Sequence, residues 1–227
     1  MSQPELVLTA DILWVVLNDL SERILRVFGC PIKLVVHGGI VMVLHPKLKC
    51  RAFTRDVDYI YRAFETKMVS RGIYDAGTKL EECIDSTGRK YGLGTRWMNA
   101  DPDIALPMAQ TRSGEVYDPL YTSAMSASNL SRNIIFSSPG LTLIAVSWPW
   151  AVALKLVRYQ KDDPNDIAAI LRLGRRENGT LWTRATLEAW LHLKCWPMSY
   201  HAYLPWQVDL ARDRMRHAIQ LARAYGW

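Results

Sequence analysis

Between Val35 and Tyr61 the chain reads VVHGGIVMVLHPKLKCRAFTRDVDYIY. An apolar run ends in Gly38-Gly39, a short apolar segment follows, and Asp56 and Asp58 then alternate with Val57 and Tyr59. Residues i and i+2 of a strand point to the same face. The spacing therefore predicts two carboxylates projecting together from one strand. Like charges that close are costly unless something neutralises them. A divalent cation is the common solution, because Mg²⁺ is held by one or two carboxylates together with substrate phosphates. A glycine pair just after a strand lets backbone come close to a bound phosphate. The segment points to a metal-dependent, phosphate-handling site on a sheet.

The whole chain bounds that expectation. Its 227 residues, 49% apolar and 22% charged, suit one large or two small globular domains. Cys30, Cys50, Cys83 and Cys195 are scattered, with no C-x-x-C pair. They read as reduced thiols of an intracellular, cytoplasmic protein. The opening residues carry Glu5 and Asp11 and no basic start, which is not the charge pattern of a secretory signal. The longest apolar stretch, Leu141 to Leu154, is broken by Ser147 and Pro149 and is too short to span a bilayer, so no membrane partner is expected. A net charge of +6, from 28 basic and 22 acidic residues, favours anionic partners such as nucleotides or RNA, although such a balance also serves solubility alone. Trp148, Trp150, Trp182, Trp190, Trp196 and Trp206 lie in apolar contexts and read as core residues. No P-loop, dinucleotide fingerprint, nucleophile elbow or zinc-protease motif occurs. His37, His45, His192, His201 and His217 show no close helical pairing that would suit a metal.

Periodicity predicts a helix over 10–28, where Leu13, Val16, Leu17, Leu20, Ile24, Val27 and Phe28 recur at helical spacing and Gly29 stops it. A strand at 32–36, the glycine turn, a short helix to about Leu44 and a strand over 56–61 follow. Residues 62–90 read as two helices parted near Gly72. The stretch 92–139, rich in Gly, Pro, Ser and Asn, reads as loop with short strands at 116–117 and 134–136, and 141–147 as a further strand. Helices are predicted at 149–160, 163–173, 183–193 and 205–224, with Pro149, Pro164 and Pro205 in their first turns. Strands first and helices last describe an α/β (α+β) fold, a mixed sheet flanked by helices at 1–147 and a helical part at 148–227.

The ordered pattern of Gly38-Gly39 and then Arg51-Ala52-Phe53-Thr54-Arg55-Asp56-Val57-Asp58 resembles the nucleotidyltransferase superfamily, in its minimal, AbiEii-like branch. Two later blocks extend the likeness. Gly92-Leu93-Gly94-Thr95-Arg96-Trp97-Met98-Asn99 resembles a G-L-x-x-x-W-L-N segment of related enzymes. Trp150 to Leu156, with Lys155, followed by Asp163 and Asp166, resembles the branch's L-x-x-K-L helix and the R-D-x-x-D-I that opens the next. The chain departs from the pattern in several places. The spacer from Gly39 to Asp56 is long, with extra residues around His45-Pro46-Lys47, and Arg51 comes one place early. Gly39 stands for a frequent Ser, Asp162 for a usual Arg, and Gln160 for a second one.

The resemblance implies transfer of an NMP from an NTP to a hydroxyl acceptor, which could be RNA, a protein or a small molecule. It implies Mg²⁺ or Mn²⁺ on Asp56 and Asp58, nucleotide contacts from Gly38, Gly39, Thr54 and Arg55, and catalytic roles for Asp56, Asp58, Lys155 and Asp166. A third carboxylate, usual on a neighbouring strand, has Asp103 and Asp118 as candidates. On physical grounds Lys155 and Asp166 also read as a structural pair clamping two helices, since a buried lysine needs a counter-ion. His37 reads as a strand-end histidine satisfied by backbone. An inactive nucleotidyltransferase-fold protein that binds or scaffolds is the alternative, and the basic arginines 212, 214, 216 and 223 of the last helix read as a solvated face.

Overall fold

A computed structural model of the chain describes residues 7–224. In chain order its first part comprises β1 (Leu8–Thr9), α1 (Ala10–Phe28), β2 (Ile32–His37), α2 (Gly39–Leu44), β3 (Phe53–Thr54), β4 (Val57–Tyr59), α3 (Tyr61–Val69), α4 (Ala76–Tyr91) and β5 (Met98–Asn99). A hairpin of β6 (Ala109–Gln110) and β7 (Val116–Tyr117) leads to α5 (Pro119–Ala124), α6 (Ala127–Asn133), β8 (Ile134–Ser138) and β9 (Leu141–Ala145). Four helices close the chain: α7 (Trp148–Arg158), α8 (Asp163–Asn178), α9 (Arg184–Lys194) and α10 (Pro205–Ala224). The chain divides into two compact units. One holds the residues up to Leu106 together with Tyr121–Val146, the other Pro107–Leu120 and the residues from Ser147 on.

The first unit is built on a five-stranded mixed sheet in the order β5-β4-β2-β9-β8. Its centre is the parallel pair β2–β9, with Ile32 opposite Leu141 and Val36 opposite Ala145. Both strands are buried almost throughout, which is what a near-continuous apolar run predicts for a strand covered on both faces. α1 and α6 pack on β9, and α3 on β2. α1 turns Leu13, Val16, Leu17, Leu20 and Ile24 inward and ends at Gly29, whose φ of +66° closes the last turn through its N–H to Leu25 O. Val27, read as part of the apolar stripe, is exposed instead.

The polar stretch before β8 is more ordered than its composition indicates. Ser126 caps α6 by accepting from the Asn129 N–H. The buried Asn129 amide donates to Ala124 O and Ala145 O, each at 2.9 Å, and Asn133 donates to Asn129 Oδ1 at 2.7 Å. His45, in the long spacer, completes the group, with Nε2 at 3.2 Å from Arg132 O and 3.3 Å from Asn133 Oδ1. Asparagine here works as internal wiring, where a sequence reading takes it for loop material.

In the second unit α10 packs on α7, α8 and α9, and α7 packs on α8 and α9. Trp150 and Trp182 are buried, and the Trp182 indole N–H donates to Leu171 O at 2.8 Å. Trp196 and Trp206 are not core residues: they are 53% and 61% exposed. The α10 arginines form a partly solvated face, and three of them also bond to groups outside α10. Arg212 Nε donates to Glu188 Oε1 at 3.0 Å, Arg214 Nη1 to Leu156 O and Val157 O at 2.7 Å each, and Arg223 Nη2 to Trp182 O at 3.3 Å, while Arg216 pairs with Asp213. Among the described residues no helix is long and apolar enough to cross a membrane.

Candidate functional site

Strand pairing joins the two halves of the glycine-and-aspartate pattern. β2 and β4 run antiparallel with His37 opposite Asp58, so the turn that leaves β2 stands beside the carboxylate. Gly38 has φ +76° and ψ −147°, a conformation open to glycine and strained for other residues. A β-carbon there would lie 2.6 Å from Asp58 Oδ2. A β-carbon on Gly39 would lie 2.2 Å from Thr54 Oγ1, 2.9 Å from Thr54 Cβ and 3.4 Å from Arg51 Nη1. Asp58, Thr54 and Arg51 therefore wall a stretch of bare backbone. Thr54 is buried and donates its hydroxyl to Asp56 O at 3.1 Å, which ties β3 to the residue just before β4.

The two aspartates differ from expectation in one respect. β4 begins at Val57, so Asp56 precedes the strand and only Asp58 lies in it. The alternation still holds, with Val57 and Tyr59 buried and Asp56 and Asp58 partly exposed. Of the nucleotide-binding candidates, Gly38, Gly39 and Thr54 come together against Asp58 and Arg51, while Arg55 is exposed beside Asp56.

Replacing Gly39 by alanine forces Thr54 aside and is expected to cost about 1–3 kcal/mol, the usual range for overpacking. Adding Thr54→Ala should return part of that loss. Urea unfolding of the two single variants and the double variant measures the coupling. Strictly additive effects would mean that the Thr54 side chain is not what excludes a residue from position 39.

Asp58 has a neighbour on each side. His37 Nδ1 stands 4.0 Å from Asp58 Oδ2. On the other side β5 pairs parallel with β4 and sets Asn99 opposite Asp58. Asn99 donates to Arg96 O at 3.2 Å and accepts from the Asp101 N–H at 3.1 Å. The segment containing Trp97, read as loop, thus supplies the edge strand. Trp97 itself is fully buried and donates its indole N–H to Ile84 O at 3.0 Å, so the tryptophan anchors β5 beside the site. Read from the sequence, His37 is a strand-end histidine and Arg51 an arginine one place early, yet both stand at the glycine turn. The antiparallel register, which a G-G and D-x-D pattern on adjacent strands implies, was the signal that could have found His37.

Of the two candidate third carboxylates, Asp103 serves α3 and Asp118 falls in the second unit. Asp103 Oδ2 accepts the N–H groups of Tyr61 at 2.8 Å and Arg62 at 3.0 Å, closing the N-terminus of α3. Asp118 belongs to the other unit. Among the described residues no group of three or more His, Cys, Asp or Glu is arranged to hold a metal ion.

Lys155 and Asp166 lie in the second unit and meet one another. Lys155 Nζ is 2.6 Å from Asp166 Oδ2 and 3.4 Å from Asp163 Oδ1. Arg158 grips Asp163 with two parallel bonds, Nε to Oδ2 at 2.9 Å and Nη2 to Oδ1 at 2.7 Å. The Gln160 N–H donates to Asp163 Oδ2 at 2.9 Å. Asp163, Asp166 and Lys155 are all buried, so the structural pairing of α7 with α8 is realised.

Burial pushes the Asp163 carboxyl up, but the Arg158 and Gln160 hydrogen bonds and the Lys155 charge outweigh it and hold the group below its ordinary 3.8. A carboxyl depressed in the folded state adds stability above its unfolded pKa and loses it as pH falls through the folded value. Stability should therefore drop on acidification below about pH 3.8. The Asp163→Asn variant should show a shallower acid limb when unfolding midpoints are followed against pH. An unchanged slope would remove Asp163 from the acid transition.

In comparisons with family models, with curated proteins and with solved structures, nothing matches this chain.

Proposed function

We propose that the first unit carries a Mg²⁺- or Mn²⁺-dependent nucleotidyltransferase site that moves an NMP from an NTP to a hydroxyl of RNA, a protein or a small molecule. The observation that carries this reading is the packing of the Gly38-Gly39 turn directly against Asp58, with no room for a side chain at either glycine. Partly exposed oxygens of Asp56 and Asp58 beside bare backbone suit a hard cation that binds through oxygen and shares substrate phosphates. Asp56 and Asp58 would hold that ion, which supplies positive charge against the phosphates.

The chain's own groups do the rest. The open backbone at Gly38 and Gly39 admits phosphate oxygens to close range, and the Arg51 guanidinium at the same turn places a cation there. Thr54 fixes the backbone that presents Asp56. Positioning of this kind allows the acceptor oxygen to form its bond to the α-phosphorus while the bond to pyrophosphate breaks, the hydroxyl proton passing to solvent. Lys155 and Asp166, matched to the family by their order along the chain, are here held by one another.

A second reading, an inactive protein of the same fold that binds nucleotide or scaffolds a partner, draws on one observation. The residue opposite Asp58 on the neighbouring strand is Asn99, and Asp103 spends its carboxylate on α3.

A thermal-shift titration with each of the four NTPs, with and without Mg²⁺, tests the site, because a ligand that binds only the folded state raises its stability by mass action. One NTP should stabilise the wild type in a Mg²⁺-dependent manner, at about 2.7 kcal/mol for a hundredfold excess over Kd. The shift should vanish in Asp56→Asn/Asp58→Asn. Absence of any shift would overturn the nucleotide site.

A further inference from the structure

The strand that leads into the glycine turn ends on a polar side chain. β2 reads Ile32-Lys33-Leu34-Val35-Val36-His37, and five of its six residues are buried, His37 among them. An imidazole in such a place costs free energy unless polar groups meet its ring nitrogens. Strand register brings one such group. His37 lies directly opposite Asp58 on β4, and directly opposed residues of an antiparallel pair project to the same face. His37 Nδ1 stands 4.0 Å from Asp58 Oδ2, with the two side chains 9% and 13% exposed.

The same oxygen is bounded on a second side. A β-carbon on Gly38 would fall 2.6 Å from Asp58 Oδ2 and 3.6 Å from Asp58 Cγ. The carboxylate therefore lies over bare backbone at the residue that follows His37, and the imidazole and the glycine together frame its inner oxygen. Asp58 also has a strand neighbour on β5, Asn99. That residue turns its amide to its own segment, donating to Arg96 O at 3.2 Å and accepting from the Asp101 N–H at 3.1 Å. Of the two residues paired with Asp58, His37 is the one that faces the carboxylate.

A carboxylate that ligates a metal is normally held by a further hydrogen bond, and losing that outer partner typically costs about 10–100-fold in metal affinity. At 4.0 Å the imidazole is a polar neighbour of Asp58 rather than a formed hydrogen bond. Contacts of this kind at catalytic sites are often long and tighten in the substrate complex.

We infer that His37 is a positioning residue of the metal site: its Nδ1–H holds Asp58 Oδ2 on the Gly38 side and sets the carboxylate in the orientation that meets the cation. His37 acts through Asp58 and is not itself a ligand. This role rests on the metal-dependent reading of Asp56 and Asp58.

Mn²⁺ alone is the probe, titrated into the full chain at one fixed pH and followed by the loss of the free-ion EPR signal. His37→Leu has a side chain of similar size without a donor, and His37→Ala a smaller one. His37→Asn puts an amide N–H close to where Nδ1 stands. Wild type should bind Mn²⁺ and Asp58→Asn should not. His37→Leu and His37→Ala should each weaken Mn²⁺ at least about tenfold, while His37→Asn should stay within about threefold of wild type. Urea unfolding of the same variants separates this role from packing. A histidine that only fills space would change stability when replaced and leave the Mn²⁺ affinity where it was. Wild-type affinity in His37→Leu or His37→Ala, or an equal loss in His37→Asn, would overturn the positioning role and leave the metal site standing. Absence of Mn²⁺ binding by the wild type would overturn the metal reading itself, and the positioning role with it.

Discussion

Replacing Lys155 with methionine should cost about 3–5 kcal/mol of stability, the usual result of breaking a buried ion pair from one side. Lys155 faces Asp166 at 2.6 Å, and both side chains are at least 95% buried. Methionine fills the stem's volume but removes the lysine charge from beside the buried Asp166 carboxylate. Asp163 suffers less, since Arg158 holds it through two bonds of its own. The pair should behave as a unit: Lys155→Met/Asp166→Leu removes both charges and should be closer to wild type than Lys155→Met alone. Urea unfolding followed by fluorescence measures each variant. A Lys155→Met loss below about 1 kcal/mol would show that the pair is exchangeable surface chemistry.

Asp58→Asn should abolish NMP transfer while the fold survives. The change is nearly isosteric, so the contact with Gly38 is kept, but one carboxylate charge is lost from the proposed metal pair. Removing a single group that stabilises developing charge typically costs 10²–10³-fold in rate, about 2.7–4 kcal/mol. A direct metal ligand should lie at or beyond the upper end. Incorporation of α-phosphate-labelled NTPs into RNA, protein and small-molecule fractions measures the transfer, and urea unfolding checks the fold. Transfer by Asp58→Asn at the wild-type rate would sink the assignment. Mg²⁺-dependent nucleotide binding with no transfer by the wild type would favour the inactive reading, to which Asn99 and Asp103 already give some support.

Where local signals were strong, the sequence was legible. α1, α2 and α10 lie where periodicity, the glycine pair and a first-turn proline place them, and β2 and β9 follow from apolar runs bounded by glycines. The legibility failed where side chains serve distant partners. Asn129 and Asn133 look like loop residues until their amides are traced to Ala124, Ala145 and His45. Trp97 looked like part of a glycine-rich loop because β5 is two residues long and exists only through its pairing with β4. At the site itself, the alternation of Asp56 and Asp58 was readable, but their neighbours were not. His37 and Arg51 reach the glycine turn through strand register and the fold of a long spacer, both of which are tertiary facts. Trp196 and Trp206 failed for the opposite reason: hydrophobicity alone does not say which tryptophan is left in water.

The parallel pairing of Ile32 with Leu141 has a consequence for how the protein is made. The central strand of the sheet is synthesised early, yet the neighbour that covers one edge of it is synthesised late, after Pro107–Leu120 of the other unit has already emerged. Until then β2 presents unpaired backbone and an apolar face, a combination that invites association between nascent chains. Closing so long a loop makes the pairing slow as well as late. Truncated chains ending near Leu106 should therefore be aggregation-prone products rather than small soluble domains, and the full-length chain should depend on chaperone shielding until Ala145 has left the ribosome.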